Sequence, residues 1–279
     1  MLAKPPAKTL RARGRTISLG PRPIIMGILN VTPDSFSDGG AYASTDEAVA
    51  AAQRMVTDGA AIIDVGGEST RPGYAAVDAA TELKRVIPIV ESLASISGTP
   101  ISIDTYKAEV ARAALKAGAH IVNDVWGLSR DPDMAKAIAD GGAAAIVMHN
   151  REQLDASLDI FEDMKVFFSS AVEKALRAGV GEDQIVLDPG IGFGKTLEQN
   201  LQILGNLGKL NDYGFPVLLG ASRKSFINKV SPSDPGDRIG GSVVTTVFAA
   251  LAGIAIVRVH DVATHLQALK IVEATGAAS

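Results

Sequence analysis

Short apolar runs alternate with longer amphipathic stretches along the chain. Residues 24–30, 61–65, 101–104, 121–124, 144–148, 185–188, 216–220 and 254–260 are rich in Ile, Val and Leu and are bounded by Gly, Pro, Asn or Asp, so each predicts a strand. Between them, residues 46–54, 82–93, 108–116, 132–139 and 161–177 repeat apolar side chains at helical spacing. Parallel neighbours need a crossover, so strict β/α alternation calls for a parallel sheet. Eight such units in 279 residues, with no Pro- or Ser-rich linker, predict a closed (β/α)8, or TIM, barrel rather than an open doubly wound sheet. The expected organisation is an N-terminal arm, residues 1–23, partly flexible, followed by one barrel domain over residues 24–279.

The polar positions sharpen this picture. Asn30, Asp64, Asp104, Asn123, Asp124, His149, Asp188, Arg258 and His260 all fall at or near strand ends. In a barrel these carboxyl ends converge on one rim, where active sites are built. Any single Asp or Asn among them could instead cap the helix that follows. Two connections, residues 31–44 and 66–77, are far longer than the usual few residues of a βα loop and read as binding loops, a tolerated surface insertion being the other reading.

Composition removes several function classes. Lys and Arg number 27 against 31 Asp and Glu, and the net charge of −4 supplies no basic field for nucleic acid or an anionic membrane surface. An anion must therefore be bound locally. The chain has no cysteine, which excludes disulfides, iron–sulfur clusters and thiolate zinc, fits a reducing cytoplasmic setting and leaves oxygen or imidazole to hold any metal. The basic, proline-bearing residues 1–15 lack the apolar core of a secretory signal. The longest apolar run, residues 247–257, is too short to span a bilayer.

One motif misleads. Asp188-Pro189-Gly190-Ile191-Gly192-Phe193-Gly194-Lys195-Thr196 ends like a nucleotide phosphate loop, but its required first glycine is Pro189, and the dinucleotide pattern fails at Lys195. The segment reads better as a sharp glycine turn that brings backbone close to a ligand while Asp188 points into the mouth.

Several long strings carry a resemblance: residues 27–40, Asp64-Val65-Gly66-Gly67-Glu68-Ser69-Thr70-Arg71-Pro72-Gly73, Ser102-Ile103-Asp104-Thr105, Asn123-Asp124-Val125, residues 188–195, Ser222-Arg223-Lys224 and Arg258-Val259-His260-Asp261. Over residues 24–275 the chain resembles the dihydropteroate synthase family, folate-pathway barrels that join a pterin pyrophosphate to p-aminobenzoate. The resemblance implies a homodimer acting on these small molecules with Mg2+. It places Asp104, Asn123, Asp188 and Lys224 on the pterin, with Met148, Phe193 and Gly220 packed around the ring. It places Asn30, Thr70, Arg258 and His260 on the pyrophosphate, with Asn30 also on the metal. Phe36, Arg71, Pro72 and Ser222 would shape the p-aminobenzoate pocket, and Asp38 would face the developing cation. Catalytic roles fall on Asp38, Lys224, Arg258 and His260. Phe36 could instead anchor its loop, Arg71 could pair with Glu68, and Asp38 before two glycines could be a turn residue. The family often continues after Met148-His149 with a glycine- and proline-containing segment, whereas this chain has Asn150-Arg151-Glu152-Gln153, so the fifth βα loop is expected to differ. Two other readings are a methyl-tetrahydrofolate-dependent methyltransferase barrel, which needs no pyrophosphate clamp, and a non-catalytic pterin-binding module.

Overall fold

The computed structural model describes residues 8–31, 45–68, 77–96 and 98–276. In chain order the elements are β1 (Lys8–Ala12), β2 (Arg15–Leu19), β3 (Ile24–Asn30), α1 (Thr45–Thr57), β4 (Ile62–Gly66), α2 (Ala79–Ile96), β5 (Ile101–Asp104), α3 (Ala108–Ala117), β6 (Ile121–Asp124), α4 (Met134–Asp140), β7 (Ala144–Met148), α5 (Ile160–Ala178), β8 (Ile185–Asp188), α6 (Leu197–Leu204), β9 (Leu218–Leu219), α7 (Ser225–Val230), α8 (Ile239–Leu251), β10 (Ile256–Val259) and α9 (Val262–Ala274). The eight predicted barrel strands are β3 to β10. They form one parallel sheet in the order β8-β7-β6-β5-β4-β3-β10-β9. A parallel bridge between Leu187 and Val217, with the Leu187 N–H donating to Pro216 O at 2.9 Å, brings β8 against β9 and closes the barrel. β9 is shorter than the run 216–220, with Val217 joined to β8 only by the single bridge to Leu187.

Helices cover the outside of the barrel. The outward faces of the strands pack on them in one continuous core that includes Ile25, Ile63, Ile103, Val122, Val147, Leu187 and Val257. Helix ends follow local chemistry. The Asp159 carboxylate accepts from the Phe161 and Glu162 amides to start α5, and Gly179 ends it in the left-handed conformation. The hydrophobic pattern had not singled out α6 to α9. Among these, α8 is apolar around most of its circumference, which hides any amphipathic period.

The flexible-arm expectation is corrected over residues 8–19. β1 and β2 pair antiparallel, with Leu10 opposite Ile17 and Ala12 opposite Arg15. Arg13 and Gly14 both adopt positive φ, 48° and 76°, as the tight two-residue turn of a hairpin demands. Leu10, Ala12, Ile17 and Leu19 alternate with polar residues and pack against Met26, Ile62, Ile121, Ile146, Val186 and Ile256 from the amino-terminal halves of the strands. The hairpin therefore plugs the bottom of the barrel. Plugging the amino-terminal end leaves the carboxyl-terminal mouth as the open face.

Candidate active site

The register of the sheet builds the mouth. Asn30 pairs with Gly66, Gly66 with Asp104, and Asp104 with Asn123, so four positions from β3 to β6 lie in one rung at the carboxyl ends. Gly66 keeps that rung open, since a Cβ there would lie 3.5 Å from Asp104 Cβ and 3.7 Å from Asn30 Oδ1.

Arg258 spans the mouth from β10. Its Nε donates to Asp64 Oδ2 and its Nη2 to Asp104 Oδ2, both at 2.6 Å. Asp64 Oδ2 also accepts from Asn123 Nδ2 at 3.1 Å. Because a carboxylate only accepts, this contact turns the amide nitrogen of Asn123 toward Asp64. The second oxygens of Asp64 and Asp104 are buried and take no hydrogen bond among the described residues. Burial pushes the Asp104 carboxyl up to about 7, against the pull of the Arg258 guanidinium and with the help of the Asp64 charge. The same two carboxylates overcome burial and hold the Arg258 guanidinium above its ordinary pKa.

Opposite this cluster, Asp188 ends β8 and Lys224 precedes α7. Asp188 Oδ1 accepts from the Gly190 amide at 2.7 Å, fixing the start of the glycine turn. Lys224 Nζ donates to Ile191 O within that turn and sits 4.5 Å from the centre of the Phe193 ring, a cation–π arrangement. Burial raises the Asp188 carboxyl, opposed by Lys224 and the Gly190 amide, and lowers the Lys224 ammonium to about 8, opposed by Asp188. Gly190, Gly192 and Gly194 all have positive φ, and a Cβ on Gly190 would lie 2.0 Å from His149 O. Only glycine lets the turn pass so close to the β7 loop. Met148 is buried at the end of β7, and Gly220 lies against Asp188 and Arg258.

A third group lies beside β10. Ser222 Oγ and His260 Nδ1 are 3.0 Å apart, and the His260 amide donates to Ser222 Oγ at 3.3 Å. Between Ser222 and Lys224, Arg223 has a φ of 57°, an uncommon value for a side chain of its size. Its guanidinium makes a fork with the Asp261 carboxylate, with Nε donating at 2.9 Å, and its amide donates to Ser242 Oγ at 2.8 Å. These bonds hold the turn that presents Ser222 and Lys224.

The structure thus brings together Asn30, Asp104, Asn123, Met148, Asp188, Phe193, Gly220, Ser222, Lys224, Arg258 and His260. Phe36, Asp38, Thr70, Arg71 and Pro72, with most of the two long loops, lie outside the described residues. Two rim candidates turn away from the mouth. Asp124 accepts from the Trp126 and Leu128 amides, both at 2.8 Å, and so ties down the turn after β6 rather than capping the next helix, which starts only at Met134. His149 Nε2 faces Asp163 of α5 at 3.0 Å, and burial holds its imidazole down to about 3, uncharged at neutral pH. The divergent loop after it is tied down by Asn150 Nδ2 on Val125 O at 2.9 Å and Arg151 Nη1 on Asp163 at 2.9 Å. Sequence reasoning placed Asp64 on the rim without a role, and missed the brace between Arg223 and Asp261. Strand alternation carried a signal for the first, since Asp64 and Gly66 share parity.

The donor set bears on a metal. Among the described residues no group of three or more His, Asp or Glu side chains could hold an ion. No helix among them is long and apolar enough to cross a membrane.

Comparison with known proteins agrees with this geometry. Residues 26–260 match the family model described as pterin binding enzyme. The dihydropteroate synthase of Bacillus subtilis is 45% identical over 267 residues, covering 96% of this chain and 93% of the relative. The crystal structure of a Clostridium difficile dihydropteroate synthase in the presence of pteroic acid superposes with a TM-score of 0.88 at 52% identity, covering 91% of this chain and 97% of that one. A Xanthomonas albilineans dihydropteroate synthase with 4-aminobenzoic acid superposes with a TM-score of 0.92 at 41% identity, covering 97% and 98%. On fold, mouth and likeness together, the chain belongs to the pterin binding enzymes, in their dihydropteroate synthase family.

Proposed function

We propose that this protein condenses 6-hydroxymethyl-7,8-dihydropterin pyrophosphate with p-aminobenzoate to give 7,8-dihydropteroate and pyrophosphate, a transferase step of folate biosynthesis. The observation that carries the reading is the mouth itself, where buried Asp104, Asn123 and Asp188 face half-buried Lys224 and Arg258 around Phe193 and Met148. A pterin edge presents adjacent N–H donors beside a carbonyl. A carboxylate such as Asp188 accepts such a donor pair as a fork, and Lys224 donates to the carbonyl or a ring nitrogen.

The reaction is substitution at the exocyclic methylene. The arylamine is already unprotonated at neutral pH, so neither a protein nucleophile nor a strong base is required. The carboxyls of Asp64, Asp104 and Asp188 lie beside the two cations, Arg258 and Lys224, and would face positive charge developing on a pterin that loses its leaving group. That favours a dissociative path. Asn30, Thr70, Arg258 and His260 hold the departing pyrophosphate, and Asp38 faces the cation. Arg258 reaches this role while committed to two carboxylates, so it also orients Asp104. Phe36, Arg71, Pro72 and Ser222 form the p-aminobenzoate pocket. For Arg71, support comes from Glu68, whose carboxylate is already engaged by Lys107 Nζ and by Tyr106 OH at 3.0 Å.

Mg2+ fits this donor set as a cation carried mainly by pyrophosphate and water, with Asn30 as one protein oxygen, because magnesium takes one or two protein ligands beside phosphate. Bound there, it would neutralise charge on the leaving group. A homodimer is supported by α8, where Val244, Phe248 and Leu251 are exposed at 49%, 45% and 39% along one helical face. One barrel domain in the cytoplasm completes the reading.

The test is pyrophosphate release by purified protein given the pterin pyrophosphate and Mg2+, with and without p-aminobenzoate, beside Lys224→Ala. Release that needs both substrates and collapses in the variant supports the synthase. Pterin binding without turnover points to a binding module, turnover of methyl-tetrahydrofolate to the methyltransferase, and no pterin binding removes the reading altogether.

A further inference from the structure

The Gly-Lys-Thr that mimics a phosphate loop has a different use. Lys195 is 4% exposed, and all three of its Nζ hydrogen bonds go to main-chain carbonyls: His149 O at 3.1 Å, Gly190 O at 3.0 Å and Phe193 O at 3.0 Å. The first carbonyl belongs to the β7 loop, the other two to the glycine turn after β8. An ammonium has three donors, so this one is fully used in joining two adjacent rim loops. Gly192 and Gly194 leave the turn without side chains to brace it, and both have positive φ. Asn200 of α6 also braces the turn, its Oδ1 accepting from the Gly192 amide at 2.6 Å.

We infer that Lys195 is a positioning residue for the pterin pocket, acting through the backbone carbonyls of Gly190 and Phe193 rather than by touching substrate. The turn it pins delivers each element of one wall. The Gly190 amide orients Asp188, Ile191 O holds Lys224, and Phe193 lies beneath the Lys224 ammonium. Released from Lys195, the turn can shift relative to β8, and all three pterin contacts shift together. Ser222, on the proposed p-aminobenzoate side of the mouth, hydrogen-bonds to His260 rather than to this turn. Burial lowers the Lys195 ammonium to about 7, with Asp188 and Asp163 opposing and Lys224 and Arg151 adding to the shift.

This inference rests on the synthase reading, and the experiment separates the two. Lys195→Met keeps the length of the side chain and removes every donor, while Lys195→Gln keeps two N–H groups. Both are compared with wild type by circular dichroism, by steady-state kinetics in each substrate, and by equilibrium binding of 6-hydroxymethylpterin. The expected result is a KM for the pterin pyrophosphate raised about tenfold or more in the Met variant, as befits lost bonds from a charged donor, with Gln intermediate. The KM for p-aminobenzoate stays within about twofold of wild type, the split that distinguishes positioning on one side of the site from general damage. The inference is overturned if the Met variant folds with an unchanged pterin KM, if both KM values rise in proportion, or if neither variant folds, which would make Lys195 a residue of the fold alone. Absence of turnover in wild type would instead defeat the synthase reading.

Discussion

Asp64→Asn isolates the contribution of one buried carboxylate. Asp64 is fully buried and its Oδ2 takes both the Arg258 Nε–H, at 2.6 Å, and the Asn123 N–H, at 3.1 Å. An asparagine keeps one carbonyl oxygen for Arg258 but loses the charge assistance, and its NH2 lies in the buried space of an oxygen that has no partner. Weakening the charge-assisted bond costs about 1 kcal/mol, and a buried unpaired donor about 1–3 kcal/mol. The total is about 3 kcal/mol, a fall in Tm of about 6–12 °C for a chain of this size. A second effect runs the other way. The Asp64 charge helps raise the Asp104 carboxyl to about 7, so removing it lets Asp104 ionise at lower pH. A carboxyl raised in the folded state favours folding when protonated, and that stability is lost as pH rises from about 4 toward 7. The loss is smaller in the variant. Thermal unfolding of both proteins from pH 5.5 to 8 should therefore show a Tm gap that narrows as pH rises. A gap that widens, or one below about 2 °C throughout, would refute the reasoning.

Three further outcomes follow from the same geometry. On the proposed role of Lys224 as a charged donor to the pterin, and with its pKa lowered to about 8, kcat/KM for the pterin pyrophosphate should fall as pH rises through 8, because the neutral amine is a weaker donor with one N–H fewer; a flat profile from pH 7 to 9.5 would contradict this. Gly190→Ala places a Cβ 2.0 Å from His149 O at a φ of 65°, and should abolish pterin binding or folding, measured by pterin titration beside circular dichroism. Leu10→Asp puts an unpaired carboxylate into the barrel plug and should lower stability by about 3 kcal/mol or more in urea unfolding, with the KM values of the surviving folded enzyme unchanged.

Much of the barrel was legible because its strands are local signals. Runs such as Ile121–Asp124 and Ile185–Asp188 are short, β-branched and bounded by turn residues, and strict alternation with helices leaves few topologies. The hairpin of residues 8–19 was equally present, as period-two alternation around Arg13-Gly14, but the arginines concealed it in a reading by composition. The rim was only half legible. Asn123 and Asp124 are neighbours on one strand, so their side chains point to opposite faces, and only Asn123 enters the mouth. The same parity turns His149 toward α5 while Met148 stays with the pocket.

By itself, the order of residues determined the strand count, the parallel sheet, the single polar rim and the family, since these depend on local periodicity and on long contiguous strings. Tertiary structure alone decided which groups share a charge. Arg258 lies 194 positions from Asp64 and 154 from Asp104, and Lys195 lies 46 from His149, so no local pattern encodes these contacts. They exist because barrel closure brings β10 beside β3 and the β7 and β8 loops together, where burial makes every unpaired polar atom costly and so selects the partners that remain.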